Sequence, residues 1–376
     1  MTQAVTDRRG RPLGVLRLSL TARCNLACPY CLPDGTEPPG LLTLEQRLAV
    51  IGAAVALGAR SLRLTGGEPL LNPELDTLIA AAGRWRRAPD AGADRVGVGG
   101  GARGLEEIAL TSNGALLSAE RARALRAAGL DRLTLSLDGV EPAAVATMAG
   151  LTGGAPAGEA LLAKVLAAIE HARAAGFDPA RGALKLNAVI QRGRNDDQLL
   201  PLAELARERG LELRLIEFMD VGNRNGWRPE AVLSAAEMVD TIGRRWPLEP
   251  LGRSAHGTAS RWRYRDGGGG LAGGGGHLAV VASVSAPFCG DCNRLRVTAD
   301  GVAYTCLFAA PGSGVDLRPW LTPDAPPQAL HQALADLWLQ RSDRWSEERQ
   351  EHWQRSGDNP GGPTRPAHAE MAYLGG

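Results

Sequence analysis

Lysine is nearly missing from this chain: Lys164 and Lys185 are the only two, so almost every basic group is a guanidinium. Across 376 residues, 42 Lys and Arg oppose 41 Asp and Glu, for a formal net charge of +1. No global field therefore favours nucleic acid or an anionic membrane, and an anionic ligand must be gripped locally. No apolar run approaches the roughly 20 residues of a membrane span. The N-terminus, Met1-Thr-Gln-Ala-Val-Thr-Asp-Arg-Arg, lacks the apolar stretch of a secretory signal. The expectation is a soluble, unexported protein that acts neither on a membrane nor on nucleic acid.

Cysteine is scarce too, and its distribution is the most informative feature of the chain. Three of the six stand in Thr21-Ala-Arg-Cys-Asn-Leu-Ala-Cys-Pro-Tyr-Cys-Leu-Pro, which places Cys24, Cys28 and Cys31 in a C-x3-C-x2-C loop after a short apolar strand. Three thiolates can hold three irons of a cubane cluster and leave the fourth open to a small molecule. Zinc would want a fourth Cys or His at paired spacing, and no His lies near this loop. The other three, Cys289, Cys292 and Cys306, share one late segment, with Asp300-Gly301 between two β-rich runs. That pair reads as a hairpin turn that folds Cys306 back beside Cys289 and Cys292, giving a second three-thiolate site. Six cysteines sorted three and three argue against a disulfide framework and for a reducing, cytoplasmic compartment.

Arg294 and Arg296 alternate on one strand face just after Cys292, where paired guanidinium forks suit phosphate oxygens. Lys164 reads as a solvated helix face. Lys185, in Ala183-Leu-Lys-Leu-Asn-Ala-Val-Ile, occupies a strand position from which an ammonium can reach a phosphate as a point charge.

Strand-like runs at 15–20, 61–65, 107–111, 132–137, 183–190 and 211–217 alternate with helical stretches beginning near Thr43, Pro73, Ser118, Gly158 and Asn195. Thr43 with Gln46 reads as a capping box, and Ser118 and Asn195 as N-caps. Right-handed crossovers curl such βα units toward an α/β fold, a partial (β/α)6 TIM-like barrel, with the loops after the strands on one face. Gly66-Gly67-Glu68-Pro69, Asn113-Gly114 and Asp138-Gly139 all follow strands and outline a site there, and the glycine pair allows close backbone approach to a ligand. The expected organisation is a barrel over 10–230 with a Gly-rich insertion at about 85–105, an auxiliary-cluster and substrate-binding region over 231–310, and a helical tail over 311–376. The Gly-rich runs of 267–276 read as further low-complexity loops, and Trp338, Trp345 and Trp353 as packing residues.

With these motifs the chain resembles the radical S-adenosylmethionine (SAM) enzymes and, within them, the GTP 3′,8-cyclases of molybdenum cofactor biosynthesis, the MoaA family. The likeness runs from about Leu16 to Phe308 and returns at the terminal Gly375-Gly376. The resemblance implies a 4Fe-4S cluster on Cys24, Cys28 and Cys31, with SAM held by Tyr30, Gly67, Ser136 and Met219. It implies a second 4Fe-4S cluster on Cys289, Cys292 and Cys306, GTP held by Arg17, Arg63, Thr111, Lys185, Arg294 and Arg296, and a catalytic tail ending in Gly375 and Gly376. It also implies a one-electron reductant of flavodoxin or ferredoxin type and a downstream cyclic pyranopterin synthase, and a homodimer is compatible with it. Asn72, where the family commonly shows a basic residue, the insertion, the Gly-rich run 149–158 and the long tail depart from the pattern. The alternative enzyme is a radical SAM peptide-modifying enzyme with an auxiliary cluster. A different class is a non-catalytic electron carrier, but such carriers normally saturate their clusters with protein ligands.

Overall fold

The computed structural model describes residues 5–33, 35–86, 104–267, 276–326, 328–349, 351 and 367–375. Residues 87–103 of the Gly-rich insertion, 268–275, Trp353 and Gly376 lie outside them.

Six parallel strands form the barrel: β1 (Val15–Ser19), β2 (Ser61–Thr65), β3 (Glu107–Ser112), β4 (Arg132–Ser136), β5 (Leu184–Ile190) and β6 (Glu212–Glu217). They lie side by side in chain order, and the sheet is extended at both ends. Beyond β6 come β9 (His277–Val281), β8 (Ser260–Tyr264) and β7 (Leu248–Arg253); beyond β1 come β10 (Arg294–Val297), β11 (Val302–Tyr304) and β12 (Val315–Asp316). Both β9 and β10 pair in parallel with the barrel strands they flank. The late Cys-bearing segment is thus continuous with the barrel sheet, and β10 places Arg294 and Arg296 opposite Val15 and Arg17. The β10–β11 hairpin turns at Asp300-Gly301 as the sequence predicts, with Gly301 at φ +89°.

Alternation along β5 separates two environments. In β5, Leu184, Leu186, Ala188 and Ile190 are buried against the helices, while Lys185, Asn187 and Val189 turn to the other face. Parallel strands with apolar cover on both faces read as continuous hydrophobic runs. Polar residues on one face here mean that the barrel interior is a chamber and not a packed core. The outer layer is made by helices including α1 (Leu44–Leu57), α2 (Leu75–Ala82), α3 (Ala119–Ala127), α4 (Pro142–Ala149), α5 (Gly154–Ala174) and α6 (Leu199–Glu208). The Thr43/Gln46 capping box and the Ser118 cap form as expected. Among the described residues no helix is long and apolar enough to cross a membrane.

Two expectations change. The helical stretch expected from Gly158 is two helices, α4 and then α5 from Gly154, and Gly158 lies inside the second. It is glycine because a Cβ there would overlap the Pro142 carbonyl oxygen where α5 crosses α4. Asn195 does not cap α6: its side chain donates to the Asp138 and Val189 carbonyls at 2.7 and 2.8 Å and accepts from the Gln191 amide. A short 3-10 turn, Asp196–Gln198, leads into α6 instead. The Gln191 amide takes the Oδ1 that a cap would offer to the helix N–H groups, and the Asp138 and Val189 carbonyls hold the side chain's NH2 in place.

Candidate active site

Loop 20–33 carries the first three thiols and is fixed from both sides. Glu37 accepts from the Ala22 amide at 2.7 Å and from the Thr21 hydroxyl, and pairs with Arg23 at 3.3 Å. From the other side the Gly67 and Glu68 amides donate to the Thr21 and Arg23 carbonyls, both at 2.8 Å. A Cβ at Gly67 would overlap the Arg23 carbonyl. The close approach that the glycine pair permits is therefore to the cysteine loop's own backbone as well as to the cavity it lines. Gly150, in the run that departs from the family pattern, meets the Ala27 carbonyl in the same way.

Glu68 joins this loop to the next strands. Only 1 % exposed, it accepts from the Ser112 hydroxyl and the Asn113 amide at 2.8 Å and from the Leu70 amide at 3.0 Å, while burial raises its pKa. Asp138 does the same further along, accepting from the Tyr30 hydroxyl and the Val189 amide, each at 2.7 Å. Burial pushes Asp138 up to about 6. Cys24, Cys28, Cys31, Tyr30, Gly67 and Ser136 line one cavity of about 1050 Å³.

A second cavity, of about 1090 Å³, shares Thr111, Asn187 and Ile216 with the first. Arg17, Arg63, Arg294 and Arg296 line it, along with all three late cysteines and Met219. Met219, expected on the SAM side, stands in the wall of this arginine chamber. The register explains the convergence: Arg296, Arg17 and Arg63 are direct neighbours across β10, β1 and β2. Burial, with the charge of Arg132, lowers Arg63 to about 9, and burial with Arg294 lowers Arg296 to about 10. Among the described residues, the Nε atoms of Arg63, Arg214, Arg294 and Arg296 are buried without a hydrogen-bond acceptor. Donors crowded this way await an anion.

Lys185 is not in the wall of either cavity. Its Nζ lies 2.9 Å from Glu212, which also pairs with Arg214 at 2.8 Å and Arg261 at 3.0 Å. Burial opposes ionisation of Glu212, but Arg214 and Lys185 hold it down to about 2; burial and Arg214 bring Lys185 to about 8. Glu107 plays the matching part for Arg132, at 2.6 Å. Arg132, Arg214, Glu107 and Glu212 escaped the sequence reading. Glu107 and Arg132 stand four residues before Thr111 and Ser136, on the same strand face, which was the available signal; β6 offered no recognised position from which to find Glu212 and Arg214. Asn72 lines neither cavity; it donates to the Leu20 carbonyl at 3.2 Å and accepts from the Glu74 amide.

All six cysteines are free thiols. Among the described residues no three His, Cys, Asp or Glu side chains converge tightly enough for a single metal ion. Each triad lines one of the two cavities, Cys24, Cys28 and Cys31 the first and Cys289, Cys292 and Cys306 the second, and three thiols on one wall are the donor set that a cubane with one open iron takes. Burial works against the Cys292 thiolate, yet Arg294 and Arg341 bring it to about 6, whereas burial and Asp343 push Cys306 up to about 12.

The chain's end crosses both sites. Ala369 donates to Ala309 at 2.8 Å, and Asn223 brackets the backbone of His368, accepting from its amide at 2.9 Å and donating to its carbonyl at 2.6 Å. Met371 then lines the first cavity, Ser19 donates to the Tyr373 carbonyl at 3.0 Å, and Gly375 reaches Arg17.

A model of the radical SAM superfamily matches residues 18–206, and one described as Molybdenum Cofactor Synthesis C matches 211–347. Relatives named GTP 3′,8-cyclase are 60% identical over 372 residues in Synechococcus sp. (strain CC9605), covering 99% of this chain and 98% of that one, and 56% identical over 378 residues in strain CC9902, covering 100% of both. One from Acidothermus cellulolyticus is 41% identical over 400 residues, again covering 100% of each chain. Among solved structures, Streptococcus suis SuiB bound to S-adenosylmethionine matches with a TM-score of 0.58 over 91% of this chain and 68% of that one; at 13% identity the likeness shows the fold alone. Two thiol triads opening on one arginine-walled barrel, with sequence matches end to end, make this chain a member of the GTP 3′,8-cyclase family of the radical SAM superfamily.

Proposed function

We propose that the protein converts GTP to 3′,8-cyclo-7,8-dihydro-GTP, the first step of molybdenum cofactor biosynthesis. The observation that carries this is the row of buried guanidinium Nε atoms without acceptors, set between two separate thiol triads. In this reading Cys24, Cys28 and Cys31 hold a 4Fe-4S cluster beside SAM, and Cys289, Cys292 and Cys306 hold a second beside the guanine. When bound, the first cluster and SAM would supply, with one electron, methionine and a 5′-deoxyadenosyl radical able to take the ribose C3′ hydrogen of GTP, so that this carbon closes on guanine C8 and a second electron with a proton completes the 7,8-dihydro product.

The chain's own residues do the rest. Tyr30, Gly67 and Ser136 bind SAM, with Tyr30 fixed by Asp138. Arg17, Arg63, Arg294 and Arg296 take the triphosphate, Thr111 stands where the two cavities meet, Lys185 adds charge from outside the wall through the Glu212 it shares with Arg214, and Met219 packs between the ligands. Holding sugar and base in attack geometry is worth roughly 7 to 11 kcal/mol in favourable cases, and a rigid grip on the triphosphate is the means. The 367–375 strap, with Gly375 and Gly376 at its end, covers the reacting region and excludes water. Residues 231–310 serve as the substrate-binding half, electrons come from a flavodoxin- or ferredoxin-type donor in a reducing cytoplasm, and a cyclic pyranopterin synthase consumes the product.

The test is anaerobic: with iron, sulfide, SAM and a strong reductant, 5′-deoxyadenosine release is compared with and without GTP. GTP-stimulated release with a cyclised guanosine product is expected. Slow release indifferent to GTP would move the substrate to the peptide-modifying alternative.

A further inference from the structure

A buried charge network holds the backbone of the second thiol triad. Arg341, 4 % exposed, donates through one Nη to the Cys292 carbonyl at 2.6 Å and contacts Asp7 at 3.2 Å, while its Nε meets Asp343 at 3.1 Å. Arg11, 3 % exposed, donates to the Cys289 carbonyl at 2.7 Å and to the Asp343 carbonyl at 2.9 Å, and its Nε lies 2.6 Å from Asp7. Trp338 closes the back, with its ring 4.7 Å from the Arg341 guanidinium and its Nε1 donating to the Arg11 carbonyl at 3.0 Å. The N-terminal segment and the tail thus jointly grip the backbone of two cluster-binding cysteines.

Burying two arginines is costly unless every charge is answered. Asp7 contacts both guanidinium groups, and each of them still donates to a carbonyl of the Cys289–Cys292 turn. Arg341 and Asp343 both line the chamber that the three thiols line. A 4Fe-4S cluster on three thiolates gains one negative charge on reduction, so a fixed cation beside it favours the reduced form.

We propose that Arg341 is a positioning residue for the second cluster, fixing the Cys289–Cys292 turn and raising the cluster's reduction potential. Asp343 opposes it, so the pair sets the potential between them. The inference rests on the reading that Cys289, Cys292 and Cys306 hold a 4Fe-4S cluster.

The experiment uses the full chain carrying Cys24→Ala, Cys28→Ala and Cys31→Ala, so that the second cluster is alone. Iron is measured after anaerobic reconstitution, and the midpoint is read without GTP by potentiometric titration followed by electron paramagnetic resonance. Arg341→Gln is expected to shift the midpoint to more negative potential, Arg341→Lys to stay near the parent, and Asp343→Asn to shift it to more positive potential. Full iron with an unmoved midpoint in Arg341→Gln overturns the proposal. Equal iron loss in Arg341→Gln and Arg341→Lys with no shift in Asp343→Asn reduces the residue to a brace and also overturns it. If Arg341→Gln takes up no iron, Asp343→Asn decides, and an unchanged midpoint there is fatal. A parent that binds no cluster would instead defeat the underlying cluster assignment.

Discussion

The Gly375 carbonyl oxygen accepts two hydrogen bonds from the one guanidinium of Arg17, at 3.0 Å from Nε and 2.6 Å from Nη2. Gly375 has φ +65°, and a Cβ there would strike the Thr65 hydroxyl and crowd that of Ser19. Gly375→Ala should therefore unseat the tail without touching any thiol. Misplacement on the ångström scale costs about a hundredfold in rate. The expected outcome is that loss in 5′-deoxyadenosine and cyclised product, with iron content equal to the parent, measured by single-turnover chromatography.

Lys185 titrates near 8 because burial and Arg214 outweigh its contact with Glu212. The protonated ammonium attracts phosphate and the neutral amine does not, so GTP affinity should fall as pH rises through that value. Linkage limits the fall to tenfold per pH unit, giving about tenfold between roughly pH 7.5 and 9. Calorimetric titration of GTP across this range checks it, and Lys185→Arg should flatten the profile. A flat profile in the parent would remove Lys185 from the phosphate site.

Glu68 satisfies two backbone amides and a hydroxyl at the ends of β2 and β3. Removing it strands these donors inside the protein, at about 1 to 3 kcal/mol for a buried group left unsatisfied. Glu68→Ala should lower the denaturation midpoint accordingly and weaken SAM binding as the Cys24 loop loosens. Urea titration and SAM equilibrium dialysis read the two effects separately.

Trp338 is fully buried beneath the Arg11 and Arg341 network. Trp338→Ala should cost about 3 to 5 kcal/mol, the range for large aromatic deletions in cores. Because the network braces the Cys289–Cys292 turn, iron should be lost from the second site first. Thermal unfolding and iron analysis of the variant provide the check.

The grouping of the thiols and the barrel strands were legible because they are nearly local: Cys24, Cys28 and Cys31 share one loop, a single hairpin joins Cys306 to the Cys289 and Cys292 segment, and period-two alternation belongs to one strand. The division at Gly150 between α4 and α5 was not. It depends on a backbone crossing, Gly158 on Pro142, that helical periodicity cannot register. Asn195 misled for a related reason, since its Oδ1 accepts from the Gln191 amide and its NH2 bridges the Asp138 and Val189 carbonyls, contacts between segments that a cap motif does not register.

The sequence by itself determined that two thiol triads, a glycine pair and a scatter of arginines would share one α/β chain, because residue type and spacing suffice for metal affinity and strand character. Tertiary structure alone decided which arginines meet: parallel pairing of β10 with β1 brings Arg296 beside Arg17, and with it Arg63, from positions 279 and 233 residues away. It also decided that Glu107 and Glu212 hold this charge in check and that Arg11 and Arg341 support the second triad from opposite ends of the chain. Contacts of that range come from sheet register and burial, which act between segments and leave no pattern within any one of them.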